Sequence, residues 1–123
     1  ELRLEAYRRL AAVTTEAEVD DIRAEWVDRY GPPPAPAEAL LGVGRLRAEC
    51  HRLGIREVTV GRGMARLLPL KLKTSEEVRF RRLARDGVYK PDQEEIQVRA
   101  RSGDIAAALV AFLRELIPPE DTP

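Results

Sequence analysis

The chain predicts an α+β fold: three N-terminal helices, then a small, mostly antiparallel sheet of about four strands with two further helices packed on it. Three observations lead there. Apolar residues recur at helical spacing from Leu4 to Leu53. The period then switches to two after Gly54, where Val58 and Val60 alternate with Glu57 and Thr59. Capping boxes, glycines and prolines punctuate the chain at the joins between these segments.

Leu4, Tyr7 and Leu10, with Ala11 beside them, make a short amphipathic first helix. Thr15-Glu16-Ala17-Glu18 reads as a capping box that opens the second, because the threonine oxygen and the glutamate each satisfy a free backbone N–H. Val19, Ile22, Trp26 and Tyr30 follow at i, i+3, i+7 and i+11 as its core face. Gly31 and Pro32-Pro33-Pro34 end it, since proline neither donates nor fits inside a helix. Pro36 suits the first turn of the third helix. Ala39, Val43, Leu46, Cys50 and Leu53 give that helix its apolar stripe, and Arg45, Arg47, Glu49 and Arg52 its solvated side. Gly42 and Gly44 mark either a close approach by another backbone or a weak first turn. Gly54 stops the helix in a left-handed conformation, and Ile55 folds back towards Cys50.

A strand over 55–60, a hairpin turn at Gly61-Arg62-Gly63-Met64 and a return strand over 65–72 come next, with Leu68, Leu70 and Leu72 on one face. Pro69 cannot donate to a ladder, so this strand is expected at an edge or with a bulge. Thr74-Ser75-Glu76-Glu77 is a second capping box, before a helix carrying Val78, Phe80, Leu83 and Ala84. Asp86-Gly87 breaks it. A short strand at Val88-Tyr89 and another over 95–101, with Ile96, Val98 and Ala100 inward, complete the sheet. Ile105, Leu109, Phe112 and Leu116 mark a final helix stopped by Pro118-Pro119. We expect one domain over 1–119 with a single core, and a frayed tail over 120–123. The chain begins inside a helical pattern, which suggests a piece of a longer protein.

Basic and acidic residues cancel at 21 each, which gives no global reason for a nucleic-acid or anionic-membrane partner. A lone cysteine rules out an internal disulfide. No apolar run approaches the ~18–20 residues of a membrane span. Cys50 and His51 are adjacent, but neighbours on a helix point about 100° apart, and Cys50 lies on the apolar stripe as an inert thiol. One cysteine and one histidine cannot make a zinc site of the usual composition. Gly61-Arg62-Gly63 resembles the opening of a phosphate loop, yet Arg66 stands where the next glycine is needed and no Gly-Lys-Ser/Thr follows. Glu76-Glu77 and Glu94-Glu95 sit at a helix start and a turn, with no apolar pocket to tune them, so neither pair receives an acid–base role. Nothing requires a cofactor or a metal.

Two clusters invite a binding reading. Arg79, Arg81, Arg82 and Arg85 form a basic run, within a segment from Lys71 to Arg101 that holds nine basic and six acidic residues. The plain reading is a solvated helix face; the functional one is a weak, salt-dependent contact to a DNA backbone. Glu25, Asp28 and Arg29 share one side of the second helix, displaced by about 100° from the Val19–Ile22–Trp26 stripe. On residue chemistry alone they are an ordinary exposed group of charges.

Three segments carry a resemblance: Leu4-Glu5-Ala6-Tyr7-Arg8-Arg9-Leu10-Ala11, then Asp28-Arg29-Tyr30-Gly31-Pro32-Pro33-Pro34, then Leu40-Leu41 through Arg45-Leu46-Arg47 to Leu53-Gly54-Ile55-Arg56. Together, and in their spacing, they resemble the C-terminal domain of the bacterial transcription-repair coupling factor. Gly42, Gly44 and Pro69 depart from its pattern. The resemblance implies a non-catalytic, autoinhibitory module of a large cytoplasmic, ATP-dependent DNA translocase that works in transcription-coupled nucleotide excision repair. That parent displaces stalled RNA polymerase on duplex DNA and recruits UvrA, with its motor elsewhere. The module is implied to dock on the UvrA-binding domain of the same chain and mask it, and the resemblance assigns the docking contacts to Glu25, Asp28 and Arg29. The alternative is an accessory DNA-contacting domain that uses the basic run.

Overall fold

The computed structural model describes residues 2–100 and 103–120. Five α-helices and a four-stranded antiparallel sheet follow one another as α1 (Leu2–Ala11), α2 (Glu16–Tyr30), α3 (Ala35–Leu53), β1 (Glu57–Gly61), β2 (Met64–Leu68), α4 (Thr74–Leu83), β3 (Val88–Lys90), β4 (Glu95–Arg99) and α5 (Ile105–Leu116). The sheet order is β1-β2-β4-β3, and the architecture is the expected α+β one. The expected tail at 120–123 lies outside the described residues beyond Glu120.

Local chemistry accounts for the joins. The Thr15 hydroxyl accepts from the Glu18 amide at 3.2 Å, and a Glu18 carboxylate oxygen accepts back from the Thr15 amide at 3.1 Å, a closed capping box. Those bonds hold the Glu18 carboxyl below its ordinary range, together with the larger contribution from Thr14. Gly54 takes a left-handed conformation (φ +77°), and the Ile55 amide reaches back to the Cys50 carbonyl at 2.8 Å. In the β1–β2 hairpin, Arg62 and Gly63 both have positive φ (+56° and +75°), which matches the strand twist of a two-residue turn. The second capping box expected at Thr74 does not form. Thr74 is already the first residue of α4, the N-cap is Lys73, whose side chain has no acceptor, and only the reciprocal bond is made, the Lys73 amide donating to Glu76 at 2.7 Å.

The single expected core divides into two clusters that share α3. The smaller one holds Leu10, Val13, Val19, Ile22 and Leu41, with Trp26 and Leu40 packed on it. The larger one stacks Cys50, Ile55, Phe80, Leu109, Leu113 and Leu116 against Ala65, Leu67, Ile96 and Val98 of the sheet. Phe80 of α4 and Phe112 of α5 meet edge-on, their ring centres 6.0 Å apart. Inward residues pair across the strands as Val58–Leu67–Ile96–Tyr89, so all the helices of this cluster cover one face of the sheet.

Several expected faces are displaced. On α3 the buried positions are Leu41, Gly44, Ala48 and Cys50, whereas Val43 is 56% exposed. A Cβ on Gly44 would stand 2.8 Å from the end of Leu10, so the close approach is by a side chain of α1 rather than a backbone. At Gly42 an added Cβ would make only ordinary contacts, with the Asp104 carboxylate at 3.9 Å and Ala106 at 4.0 Å, so nothing there requires glycine for closeness. Glu49 is buried rather than solvated. It pairs with Arg52 at 2.7 Å, and Arg52 also donates to the Ile117 carbonyl at the end of α5. On α1 and α2, Leu4, Tyr7 and Tyr30 are exposed instead of packed. Val60 and Val78 are likewise exposed, the first because β1 is an edge strand. β2 ends at Leu68 and lies between β1 and β4. Pro69 therefore falls past its last paired residue, and no edge position or bulge is needed. Its inward residues are Ala65 and Leu67; Leu70 and Leu72 are buried in the following loop.

On the outer face of the sheet, Glu95 is 2% exposed and is bonded by Arg66 at 2.8 and 3.2 Å and by Gln97 at 2.5 Å. The Arg66 and Gln97 bonds hold its carboxyl at about 2, well below the ordinary 4.5. A carboxylate with a lowered native pKa stabilises the fold above its unfolded pKa and loses that contribution as pH falls towards the native one. Acid should therefore weaken this protein between pH about 4.5 and about 2. Glu95→Gln should flatten that decline in urea-unfolding midpoints followed across the window, leaving the contributions of Glu18 and of Glu38, whose carboxyl a hydrogen bond from Arg23 also holds below its ordinary range. At Gly87, an added Cβ would meet Ala84 Cβ and Phe80 Cζ at 2.9 Å and the Gln97 carbonyl at 3.0 Å. Gly87→Ala should lower the unfolding free energy by about 1–3 kcal/mol. Gly61→Ala, with nothing within 4 Å of its added carbon, should change it by under about 0.5 kcal/mol.

Candidate functional site

Among the described residues, the three-helix end carries most of the exposed large apolar side chains. Leu4, Tyr7, Val27, Tyr30 and Val43 are each at least 36% exposed and all belong to α1, α2 or α3. Hydrophobic residues scattered singly over a surface are ordinary, but a contiguous group is not. Here Tyr7 of α1, Trp26 and Tyr30 of α2, the Pro32–Pro34 arm and Leu40 and Val43 of α3 line one open groove of about 760 Å³. Three causes make it. Gly44 admits Leu10 against α3. Trp26 packs its body on the smaller core cluster and leaves an edge in the groove. Gly31, at φ +80°, turns the chain out of α2 so that the prolines form the far wall.

Two of the three sequence-predicted charges, Glu25 and Arg29, stand at the rim, whereas Asp28 does not line the groove. Glu25 bridges two cations: Arg9 of α1 donates to it at 2.5 Å, and Arg29 approaches its other oxygen at 3.9 Å. Glu25 and Arg29 keep 40% and 59% of their side chains exposed, and Arg9, Glu25 and Arg29 all line the groove. Asp28 is exposed and forms no ion pair among the described residues. The face thus combines an apolar floor, a rigid wall and a mixed-charge rim. Arg23 and Glu38, joined by two bonds at 2.7 and 3.1 Å, lock α2 to α3 behind it. Exposed pairs of this kind contribute under about 1 kcal/mol each. Their value to a docking surface lies in orientation and selectivity.

Sequence reasoning found the charges and missed the groove. It assigned Tyr7, Tyr30, Ala39 and Val43 to the core, and they are the residues that line the groove instead. A second stripe, Leu41, Gly44 and Ala48 at i, i+3 and i+7, has equally good helical spacing; it is the one that packs, and Val43 is turned outward.

The basic run is divided. Arg79 is half-buried and donates to the Leu116 carbonyl at the end of α5, whereas Arg81, Arg82 and Arg85 are exposed. The Gly61–Met64 turn is the tip of the β1–β2 hairpin. Burial, and after it the neighbouring Glu49, pushes the Cys50 thiol up to about 11, so it is protonated at neutral pH. Among the described residues no group of three His, Cys, Asp or Glu could hold a metal ion, and no helix is long and apolar enough to cross a membrane.

Comparison with known proteins gives this arrangement its context. The chain is 42% identical over 108 residues to the transcription-repair-coupling factor of Mycobacterium bovis, an alignment that covers 86% of this chain and 9% of that relative. It is 45% identical over 56 residues to the factor of Escherichia coli, covering 46% of this chain and 5% of the relative. The chain thus spans about a tenth or less of these relatives' length. Its fold superposes on a crystal structure of the C-terminal domain of transcription-repair coupling factor with a TM-score of 0.74, covering 93% of this chain and 78% of that one at 14% identity. The TRCF domain model matches residues 1–81, from α1 through most of α4, and so takes in both the charged rim and the groove. This chain belongs to the TRCF domain family.

Proposed function

We propose that this domain is a non-catalytic, autoinhibitory docking module of a longer transcription-repair coupling factor. In that reading Glu25, Asp28 and Arg29 contact the UvrA-binding domain of the same chain, mask its UvrA surface and restrain the ATP-dependent DNA translocase. The parent acts in the cytoplasm on duplex DNA in transcription-coupled nucleotide excision repair, and engagement of stalled RNA polymerase releases the mask.

The observation that supports this most is the adjacency of a mixed-charge rim and an open aromatic groove beside α2. A flat field of charges would hold a partner weakly and without register. An apolar floor adds area that favours burial, while the rim penalises partners whose charges do not match. The combination suits a contact of a few kcal/mol: strong enough to populate the closed state, weak enough for a competing contact to displace. Salt weakens the rim much more than the floor.

In the full-length protein, Glu25→Ala with Asp28→Ala should raise the apparent UvrA affinity by about fivefold or more, the lower end of ordinary coupling energies. The same pair in the isolated domain should shift unfolding by under about 1 kcal/mol, because the only described partners lost are the exposed contacts to Arg9 and Arg29. Isothermal titration with UvrA and urea unfolding of the domain provide the two readouts. An unchanged UvrA affinity in a folded double variant would overturn the docking assignment.

A further inference from the structure

A second cleft, of about 500 Å³, shares no lining residue with the groove and opens between the end of α4, the Asp86–Gly87 turn, the end of β4 and the first half of α5. Its floor is apolar, with Ile105, Ala108 and Phe112 facing the opening. Its rim is cationic, carrying Arg82, Arg85 and Arg99. Arg99 approaches Asp86 at 3.4 Å, the one carboxylate at this rim among the described residues. Arg82 and Arg85 are exposed and make neither an ion pair nor a hydrogen bond among the described residues. Their immediate neighbours on α4 behave differently. Arg79 is committed to the end of α5, and Arg81 does not line the cleft. The cleft is also firmly shaped, because Gly87 lies against Phe80, Ala84 and the Gln97 carbonyl with no room for a side chain.

We propose that this cleft is a binding site for an acidic peptide segment bearing an apolar side chain. The apolar residue would sit on Ile105, Ala108 and Phe112, and flanking carboxylates would be met by Arg82 and Arg85. Charge complementarity selects the sign of the occupant: three guanidinium groups face one carboxylate at the rim, and guanidinium recognises carboxylate in a fixed fork geometry. The floor selects its class. A nucleic-acid backbone would use the arginines and leave the apolar floor unfilled, and a duplex contact needs cations strung along a ridge, whereas this chain is neutral as a whole. A peptide with alternating apolar and acidic groups uses both parts. The volume falls within the ~300–1,000 Å³ of ordinary ligand clefts. The site is separate from the α2 face and does not depend on the docking function proposed for it.

Fluorescence anisotropy on this chain tests the proposal, with a fluorescein-labelled Glu-Glu-Leu-Leu-Glu-Glu peptide as probe. The comparison ligands are the same peptide with serine for leucine, the same with glutamine for glutamate, and a short DNA duplex. The leucine–glutamate peptide should bind, and both substituted peptides should bind more weakly. Arg82→Ser with Arg85→Ser should weaken binding about tenfold, or ~1.4 kcal/mol. Ala108→Glu, at an exposed position on the floor, should do the same. Lys73→Ser with Arg81→Ser removes equal charge outside the cleft and should change binding less than about twofold. Three results would overturn the proposal: no binding of the leucine–glutamate peptide, equal loss in the two double variants, or DNA binding that depends on Arg82 and Arg85 while the serine peptide matches the leucine one.

Discussion

One helix is asked to belong to two cores. The N-terminal half of α3 supplies Leu41 to the cluster built with α1 and α2, while its C-terminal half supplies Cys50 to the cluster under the sheet. A helix of 19 residues is about 28 Å long, which is what lets it serve both. Each cluster is small for an independent fold, and a shared wall makes their burial mutually dependent. The ends of α3 are correspondingly well fixed. Pro34 and Pro36 set its start, and the Gly54 turn with the Ile55–Cys50 bond sets its stop and aims the chain into β1. Arg52, near that stop, carries the constraint further, because it neutralises the buried Glu49 and bonds the end of α5 in the same stroke. A second strap, Arg114 to Glu16, joins α5 to the start of α2.

Two arginines from different helices converge on one helix end. Arg52 donates to the Ile117 carbonyl and Arg79 to the Leu116 carbonyl. The last carbonyls of a helix have no partners within it and carry partial negative charge, so both contacts satisfy orphan acceptors and complement the dipole. That explains why Arg79 departs from the exposed row formed by its neighbours. A run of like charges in a sequence is therefore not one surface: residue 79 turns inward, 82 and 85 border a cleft, and 81 faces solvent elsewhere.

Most of the architecture was legible because its signals are local. The Thr15 capping box, the Gly54 stop, the switch of period after it and the Gly61–Met64 turn are each decided within a few residues, and each stands where the sequence put it. What could not be read was which of two apolar stripes on a helix faces inward. In the first half of α3 both Ala39–Val43 and Leu41–Gly44–Ala48 have helical spacing, whereas Leu46, Cys50 and Leu53 pack on the larger cluster as their stripe predicts. Of the first two, the second wins because glycine and alanine let Leu10 and Val19 approach, a matter of long-range packing. The same ambiguity hid the groove, since Tyr7 and Tyr30 read as core from periodicity alone. Glu95 was missed for a different reason: its burial depends on Arg66, from another strand of the sheet, reaching over it.

The proline arm has a further consequence for the groove it walls. Pro34 sits at φ −69° and ψ 166°, the extended conformation that successive prolines adopt without help from partners. Its ring leaves few alternatives to freeze out, and tyrosine and tryptophan bring large contact area on only two rotatable bonds. A visitor to this groove thus meets a mould already set. Little ordering entropy opposes its arrival, so the grip can be modest and still be quick to form and quick to let go.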